Sequence, residues 1–297
     1  MLSICIPIYN YDVSLLVRDL HLQAGKTGRP FEILLMDDAS DEAFEKKNRA
    51  LALDNVRYIQ LDKNIGRAKI RNRLAGEARY PYLLFMDCDS AVSSDLYIEN
   101  YIPHCEPQIV CYGGRKYADK KPDDATYLRW KYGVERECFP AAERRKNPDL
   151  GFCTNNFLIH RPLFEKVKFD ESLDGYGHED TFFGLELQAK CIHIRHIDNP
   201  LIHIGLESAA IFIEKTENGI INLQRMEKLL AVQYPEHLGH SRLTRTKLRL
   251  QKLHLIKPAA WLFKLARKAM KKHLSGKNPS LRIFDLYKLG LLVTSSQ

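Results

Sequence analysis

Short apolar runs alternate with amphipathic stretches through the N-terminal third of the chain. Ser3-Ile4-Cys5-Ile6-Pro7-Ile8, Phe31 to Met36 and Tyr82 to Met86 are near-continuous apolar runs, the pattern of strands buried on both faces. Val56-Arg57-Tyr58-Ile59-Gln60-Leu61 alternates instead. Between the first two runs, the spacing of Val13, Leu16, Val17 and Leu20 predicts a helix. Asp12 or Ser14 would begin it, and Gly25 and Gly28-Arg29-Pro30 would close it. A polar helix follows Asp41. Asn64-Ile65-Gly66 opens another, with Ala68, Leu74, Ala75 and Ala78 toward the sheet and Arg67, Lys69, Arg71 and Arg73 elsewhere. Strand and helix alternate throughout, which predicts an α/β fold: a mostly parallel, Rossmann-like sheet flanked by helices and joined by right-handed crossovers.

Beyond this the pattern loosens. Ile109 to Gly114 is a short strand ending in glycines, and Gly151 to His160 returns to an apolar strand. From Arg115 to Leu150 the chain is polar and charged, with Trp130, Tyr132 and Phe139 interleaved, and reads as a helical insertion and mobile loop. Ile192 to Ile197 alternates like an edge strand, which places His193 and His196 on the surface. Asn218 to Tyr234 carries a helical stripe of Ile221, Leu223, Met226, Leu229, Leu230 and Val232 that would dock on the preceding body. Leu243 to Leu274 reads as a basic amphipathic helix, or a pair broken at Pro258.

Charge changes the picture only when it is located. The net charge is +8, but Ser241 to Phe284 holds thirteen Lys/Arg and no Asp/Glu. With those set aside, 32 basic residues face 37 acidic ones, so the body is mildly acidic and the tail carries the whole excess. That argues for a functional tail rather than a nucleic-acid-binding domain. Basic residues interleaved with Trp261, Leu262, Phe263 and Leu265 predict peripheral contact with an anionic membrane through residues 241–284; docking on the body or on a second subunit is the competing reading. The oligomeric state is open. Seven cysteines, odd in number and without a Cys-x-x-Cys, fit a reducing compartment rather than a disulfide framework or zinc site. Met1 to Pro7 has no basic leader or long apolar core, and no run approaches the ~20 apolar residues of a membrane span. A cytoplasmic protein, peripheral on the inner face of the cell membrane, is expected.

Three acidic constellations carry the candidate chemistry. Leu83-Leu84-Phe85-Met86-Asp87-Cys88-Asp89 ends a buried strand in two carboxylates one residue apart. In extended chain these point to the same side and can converge on one hard cation, with Cys88 turned toward the fold. Asp37-Asp38 ends the second strand, where helix capping is the plainer alternative. Gly175-Tyr176-Gly177-His178-Glu179-Asp180 sets adjacent acids at a helix start after glycines that let the backbone approach a ligand; capping competes here too.

Ser-Ile-Cys-Ile-Pro-Ile-Tyr-Asn, Leu-Met-Asp-Asp-Ala-Ser, Asn-Ile-Gly-Arg-Ala-Lys-Ile-Arg-Asn and Phe-Met-Asp-Cys-Asp, in this order, resemble the family 2 glycosyltransferases of the GT-A fold. Glu179-Asp180 after a Gly-rich turn resembles the acceptor-side acid motif of chondroitin- and galactosyl-type members. The resemblance implies a nucleotide-diphospho-sugar site, with Pro7, Tyr9, Asp38, Asn64, Arg71, Asp87 and Cys88 binding the donor. It implies Mn²⁺ or Mg²⁺ held by Asp87 and Asp89, with His203 as third ligand and His196 as its rival. Asp180, or else Glu179, would be the general base that takes the proton of the attacking hydroxyl. Asn155, Asn156, Gly177 and His178 would lie on the acceptor side.

The expected organisation is a catalytic domain over residues 1–206, with a nucleotide half (1–114) and an acceptor half (115–206). A helical extension (207–240) and basic amphipathic helices (241–297) would follow. The expected function is inverting, metal-dependent transfer from a nucleotide-diphosphate sugar, a UDP-sugar, to a glycan or lipid-linked glycan in polysaccharide biosynthesis. A sugar nucleotidyltransferase is the rival enzyme, although Ile8-Tyr9-Asn10-Tyr11 is not a Gly-rich phosphate loop. A non-enzymatic membrane-bound adaptor would leave the acids unexplained.

Overall fold

The computed structural model describes residues 1–146 and 152–295. Gly151, the expected start of a strand, and the end of the polar loop at 147–150 lie outside them. The chain divides into two compact units. One comprises residues 1–118, 137–174 and 179–205, the other 119–136, 175–178 and 206–297.

In chain order the elements are β1 (Leu2–Ile8), α1 (Ser14–Lys26), β2 (Phe31–Asp37), α2 (Glu42–Arg49), β3 (Val56–Gln60), α3 (Arg67–Glu77), β4 (Tyr82–Met86), β5 (Ser90–Val92), β6 (Ile109–Tyr112) and β7 (Arg115–Lys116). They continue as α4 (Tyr127–Arg136), α5 (Ala141–Arg144), β8 (Asn156–His160), α6 (Arg161–Val167), α7 (Glu179–Ala189), β9 (His193–His196), β10 (Leu201–His203), α8 (Ala209–Gln233), α9 (Arg242–Lys252), α10 (Ile256–Leu274) and α11 (Leu281–Thr294).

The first unit is built on a sheet of order β3-β2-β1-β4-β8-β6-β9. β1 pairs in parallel with β2 and β4, β2 with β3 and β6 with β9, while β8 runs antiparallel to both its neighbours. The fold is therefore the expected α/β architecture with a mostly parallel sheet. β4 shows why an unbroken apolar run was needed. Leu83 and Phe85 enter one buried cluster with Leu74 of α3 and Phe164 of α6, whereas Leu84 and Met86 enter another with Leu16 and Leu20 of α1. Both faces are covered from Leu83 to Met86, so these four positions are all apolar. A second sheet of order β5-β10-β7 was not foreseen, because its strands have only two or three residues and too few positions to show a period.

β9 does form the sheet edge, but His196 is buried rather than superficial, its Nδ1 2.9 Å from Arg144 Nη1. A histidine held there is not placed as a rival metal ligand.

The second unit is helical. Leu128 of α4, Phe212 of α8, Phe263 and Leu274 of α10, and Phe284 and Tyr287 of α11 form its apolar centre. The expected break at Pro258 falls instead between Lys252 and Ile256. Pro258 lies in the first turn of α10, where its missing N–H has no intrahelical acceptor to lose. Of the stripe on α8, Leu223, Met226 and Leu230 are buried, but Ile221 and Val232 are exposed.

Candidate active site

Because β1 lies between β2 and β4, the segments after all three leave the sheet at one carboxyl edge, the usual ligand edge of an open α/β sheet. Tyr9 is half exposed there, Pro7 is half-buried and Asn64 exposed. The two acids after β2 have separate duties. Asp37 is fully buried and accepts from Ser40 N at 2.7 Å and Tyr58 Oη at 2.8 Å, which pins the β2 end. Asp38 accepts from Ile65 N at 2.7 Å and Gly66 N at 3.1 Å, so it draws the Asn64-Ile65-Gly66 loop over the strand ends. Gly66 has φ of 84°, which a β-carbon would strain, so glycine suits this entry to α3. Burial pushes the Asp38 carboxyl up, against those two hydrogen bonds.

Asp87 sits between two arginines. Arg71 Nη2 lies 2.9 Å from Oδ1, and Arg115 Nη2 lies 3.3 Å from Oδ2. Arg71 reaches back through Nη1 to Glu179 at 3.5 Å, and Arg115 through Nη1 to Glu137 at 3.1 Å. Tyr117 Oη donates to the same Glu137 carboxylate. The Nε of each arginine is buried without a hydrogen-bond partner, as is Glu179 Oε2. Arg115 and Glu137 are the residues that sequence reasoning missed. The available signal was an arginine directly after Gly113-Gly114, a pair that ends a strand at the same edge.

Asp89 meets His203, whose Nδ1 lies 3.5 Å from its Oδ1. The small second sheet makes this meeting, since β10 pairs antiparallel with β5 and sets His203 opposite Ser90. Backbone N–H groups of Ile204 and Gly205 bond to the Asp89 carbonyl, and a β-carbon at Gly205 would stand 2.7 Å from Asp89 Cβ. Burial alone would raise the Asp89 carboxyl. His203, Arg115 and Arg67 outweigh it and hold the group well below the usual carboxylate range. Both ring nitrogens of His203 are buried and without a hydrogen-bond partner. An orphaned imidazole against a charged carboxylate suits a divalent cation. Asp87 suits it too in chemistry, but its oxygens are on the arginines, and among the described residues no three such ligands are gathered at one point. Cys88 packs inward as expected; burial, then the flanking Asp89 and Asp87 charges, push its thiol up to about 12.

At the start of α7, Glu179 is buried against Arg71, and Asp180 Oδ1 accepts from Thr181 N at 2.7 Å. Burial and the Glu179 charge push the Asp180 carboxyl up to about 6. The two asparagines differ. Asn155 is buried, its carbonyl accepting from Asp87 N at 3.2 Å and its Oδ1 from Tyr112 Oη at 3.4 Å. Asn156 is completely buried. Its Oδ1 accepts from Tyr97 and Tyr101, and its Nδ2 donates to Gly114 O and Asn199 O, both at 2.9 Å. That amide is committed on every side to holding the strand ends, which corrects the expectation that it meets a sugar hydroxyl. Gly177 and His178 belong to the second unit, where Asn222 Nδ2 donates to Gly177 O at 2.6 Å. Burial, with His240 and Lys288 near, pushes His178 down to about 4.

A mostly parallel sheet with paired acids at its carboxyl edge and an acid pair opening a later helix defines a GT-A-type fold. A family model described as glycosyl transferase family 2 matches residues 3–168, more than half the chain, and the chain belongs to that family. A relative is the chondroitin synthase of Pasteurella multocida (strain Pm70), 27% identical over 239 residues, covering 68% of this chain and 24% of that protein. The chain thus spans about a quarter of that relative's length. Among solved structures, a mannosyltransferase from Pyrobaculum calidifontis in complex with GDP-Man and Mn²⁺ superposes with a TM-score of 0.54 at 15% identity, over 99% of this chain and 86% of that one. TarS residues 1–349 of S. aureus, in complex with UDP-GlcNAc, gives 0.51 at 16% identity, over 99% and 90%. These likenesses show the shared fold.

Proposed function

We propose that the protein is an inverting, metal-dependent glycosyltransferase that moves a sugar from a UDP-sugar to a glycan or lipid-linked glycan in polysaccharide biosynthesis. The observation that carries this is one cluster at the carboxyl edge of the sheet. It joins the Asp89–His203 pair, the buried Arg71 and half-buried Arg115 with unpartnered Nε, and the Glu179–Asp180 acids. The relative named chondroitin synthase supports a polysaccharide product, and UDP-GlcNAc in TarS supports a UDP-sugar donor.

In this reading Tyr9 lies against the base, while Asp38, Asn64 and Pro7 shape the nucleoside end. Arg71 and Arg115 face the diphosphate. Asp89, His203 and Asp87 would hold Mn²⁺ or Mg²⁺, which when bound supplies charge to stabilise the departing diphosphate. Asp180 accepts the proton of the acceptor hydroxyl as that oxygen attacks C1, and a single displacement inverts the anomeric centre. Its raised pKa sets the base close to neutrality, where proton transfer is most effective. Glu179, held by Arg71, lies beside Asp180 and offers the unpartnered Oε2 to a hydroxyl. Asn155 is assigned to the acceptor side.

Peripheral membrane contact belongs to the same proposal. Trp261, Leu262 and Leu265 of α10 are 61%, 58% and 67% exposed, beside exposed Lys257, Lys264 and Lys268, a face suited to an anionic bilayer. Among the described residues no helix is long and apolar enough to cross a membrane.

UDP with Mn²⁺ should raise the melting temperature, since a ligand of the native state stabilises it by mass action. Hydrolysis of one of UDP-Glc, UDP-Gal, UDP-GlcNAc or UDP-GalNAc should stop in excess chelator. Asp89→Ala should stay folded and lose the cation-dependent shift. Full turnover in chelator would refute the metal assignment.

A further inference from the structure

We propose that Arg71 and Arg115 form a clamp on Asp87 that the donor diphosphate must open, so that the site takes its divalent cation tightly only together with the nucleotide. This rests on the transferase reading above.

Each Asp87 oxygen is held by a different guanidinium, at 2.9 Å and 3.3 Å, and the two arginine side chains are only 4% and 13% exposed. They act as internal counter-ions. With Asp87 occupied by the two guanidiniums, Asp89 and the buried His203 are what is left to hold a cation in the absence of nucleotide. The clamp is nevertheless incompletely satisfied, since both Nε atoms are buried without a partner. A buried charged donor left unmatched is costly, and a diphosphate carries several oxygens of the right charge and spacing to engage such forks. Once it engages them, the guanidiniums would turn from Asp87 to phosphate, and the Asp87 carboxylate would be freed to hold the cation.

The scaffold ties the two events together. Arg115 lies on β7, which pairs with β10, the strand that carries His203, and β10 pairs with β5, which begins directly after Asp89. One three-stranded sheet thus presents half of the clamp and two of the metal ligands. Binding of cation and of diphosphate must then strengthen one another by the same factor, because coupling is reciprocal.

Mn²⁺ binding, read from the loss of the free-ion EPR signal, tests this without turnover. In the wild-type protein UDP should tighten Mn²⁺ at least tenfold and uridine, which lacks the diphosphate, should not. Arg115→Gln should move the two affinities in opposite directions. Mn²⁺ alone should bind severalfold tighter, because Asp87 loses a competitor. UDP should bind roughly tenfold weaker, the size of one charge-assisted contact. A merely structural arginine would weaken both. If Arg115→Gln does not fold, Arg115→Lys decides, since it keeps the charge and loses the fork: Mn²⁺ alone should stay at the wild-type affinity while UDP weakens. Mn²⁺ that binds wild type equally well with and without UDP overturns the clamp but not the transferase. A wild-type protein that binds no Mn²⁺ even with UDP overturns both.

Discussion

Replacing Asp180 by Asn separates chemistry from binding and makes a second, independent claim about stability. The side chain keeps its size, and its Oδ1 can still accept from Thr181 N, the 2.7 Å bond of the wild-type carboxylate. It cannot accept a proton, so transfer should fall by ~10²–10⁴ while UDP affinity persists. The wild-type carboxyl is pushed up to about 6 by burial and by Glu179, with Arg115 and Arg71 pulling the other way. A base must be deprotonated, so the wild-type rate should rise with pH and level off above about 6, a limb the residual rate of the variant should lack. For stability the sign is opposite. The folded pKa exceeds the ordinary value, so this group's contribution is fully present below about pH 4 and lost as pH rises through about 6. A shift of about two units corresponds to ~3 kcal/mol at most, less after solvent screening. Asp180→Asn should therefore match wild type near pH 4 and exceed it at pH 7.5, by up to that amount, in urea unfolding. UDP release from the panel sugar that wild type turns over fastest gives the rates. Wild-type turnover in the variant at pH 7.5, or an acid limb that survives near pH 6, would place the base elsewhere.

Two further outcomes test the frame and the tail. Gly113→Ala should lower the melting temperature by several degrees, because its β-carbon would lie 2.3 Å from Tyr101 Oη and 2.4 Å from Asn199 O, and forced overpacking costs about 1–3 kcal/mol; an unchanged melting curve would contradict the packing around Asn156. The whole protein should sediment with anionic vesicles at low salt and not at high salt, and Trp261→Ser combined with Leu265→Ser should leave it in the supernatant; a wild-type protein that stays in the supernatant at low salt would refute the membrane role.

The nucleotide half was legible because its information is local. Each buried parallel strand is a dense apolar run, the helices α1 and α3 show a 3.6-residue stripe, and acids at strand ends mark the ligand edge. What escaped depends on pairing across long separations. Nothing near Arg115 says that β7 will pair with β10, which carries His203, nor that Glu137, far along a polar segment, will hold that arginine's other nitrogen. Asn156 failed for a related reason. A polar residue at a strand start reads as a ligand contact until its four neighbours, from Tyr97 to Asn199, are seen to occupy the amide. His203 was placed by family likeness rather than by local pattern, since a lone histidine in a short strand has no periodic signature.

The basic tail shows the same limit in electrostatic form. A sequence supplies the sum of thirteen cations, whereas a membrane responds to the field on one face. Arg267 and Lys271 of α10 lie 3.3 and 3.4 Å from Glu217 of α8, and Lys247 of α9 lies 2.7 Å from Glu227. These cations serve the unit internally. Along the same inward face Phe263 lies over Gly290 of α11, where any β-carbon would stand 2.0 Å from the ring. Membrane contact and docking do not exclude one another, because a helix has more than one face. α10 uses Phe263, Arg267 and Leu274 to pack within its own unit and keeps Trp261, Leu265, Lys264 and Lys268 outward. The attraction to an anionic surface should therefore scale with the outward lysines and not with the full count, so neutralising Lys264 and Lys268 should weaken vesicle binding while leaving α10 packed in place.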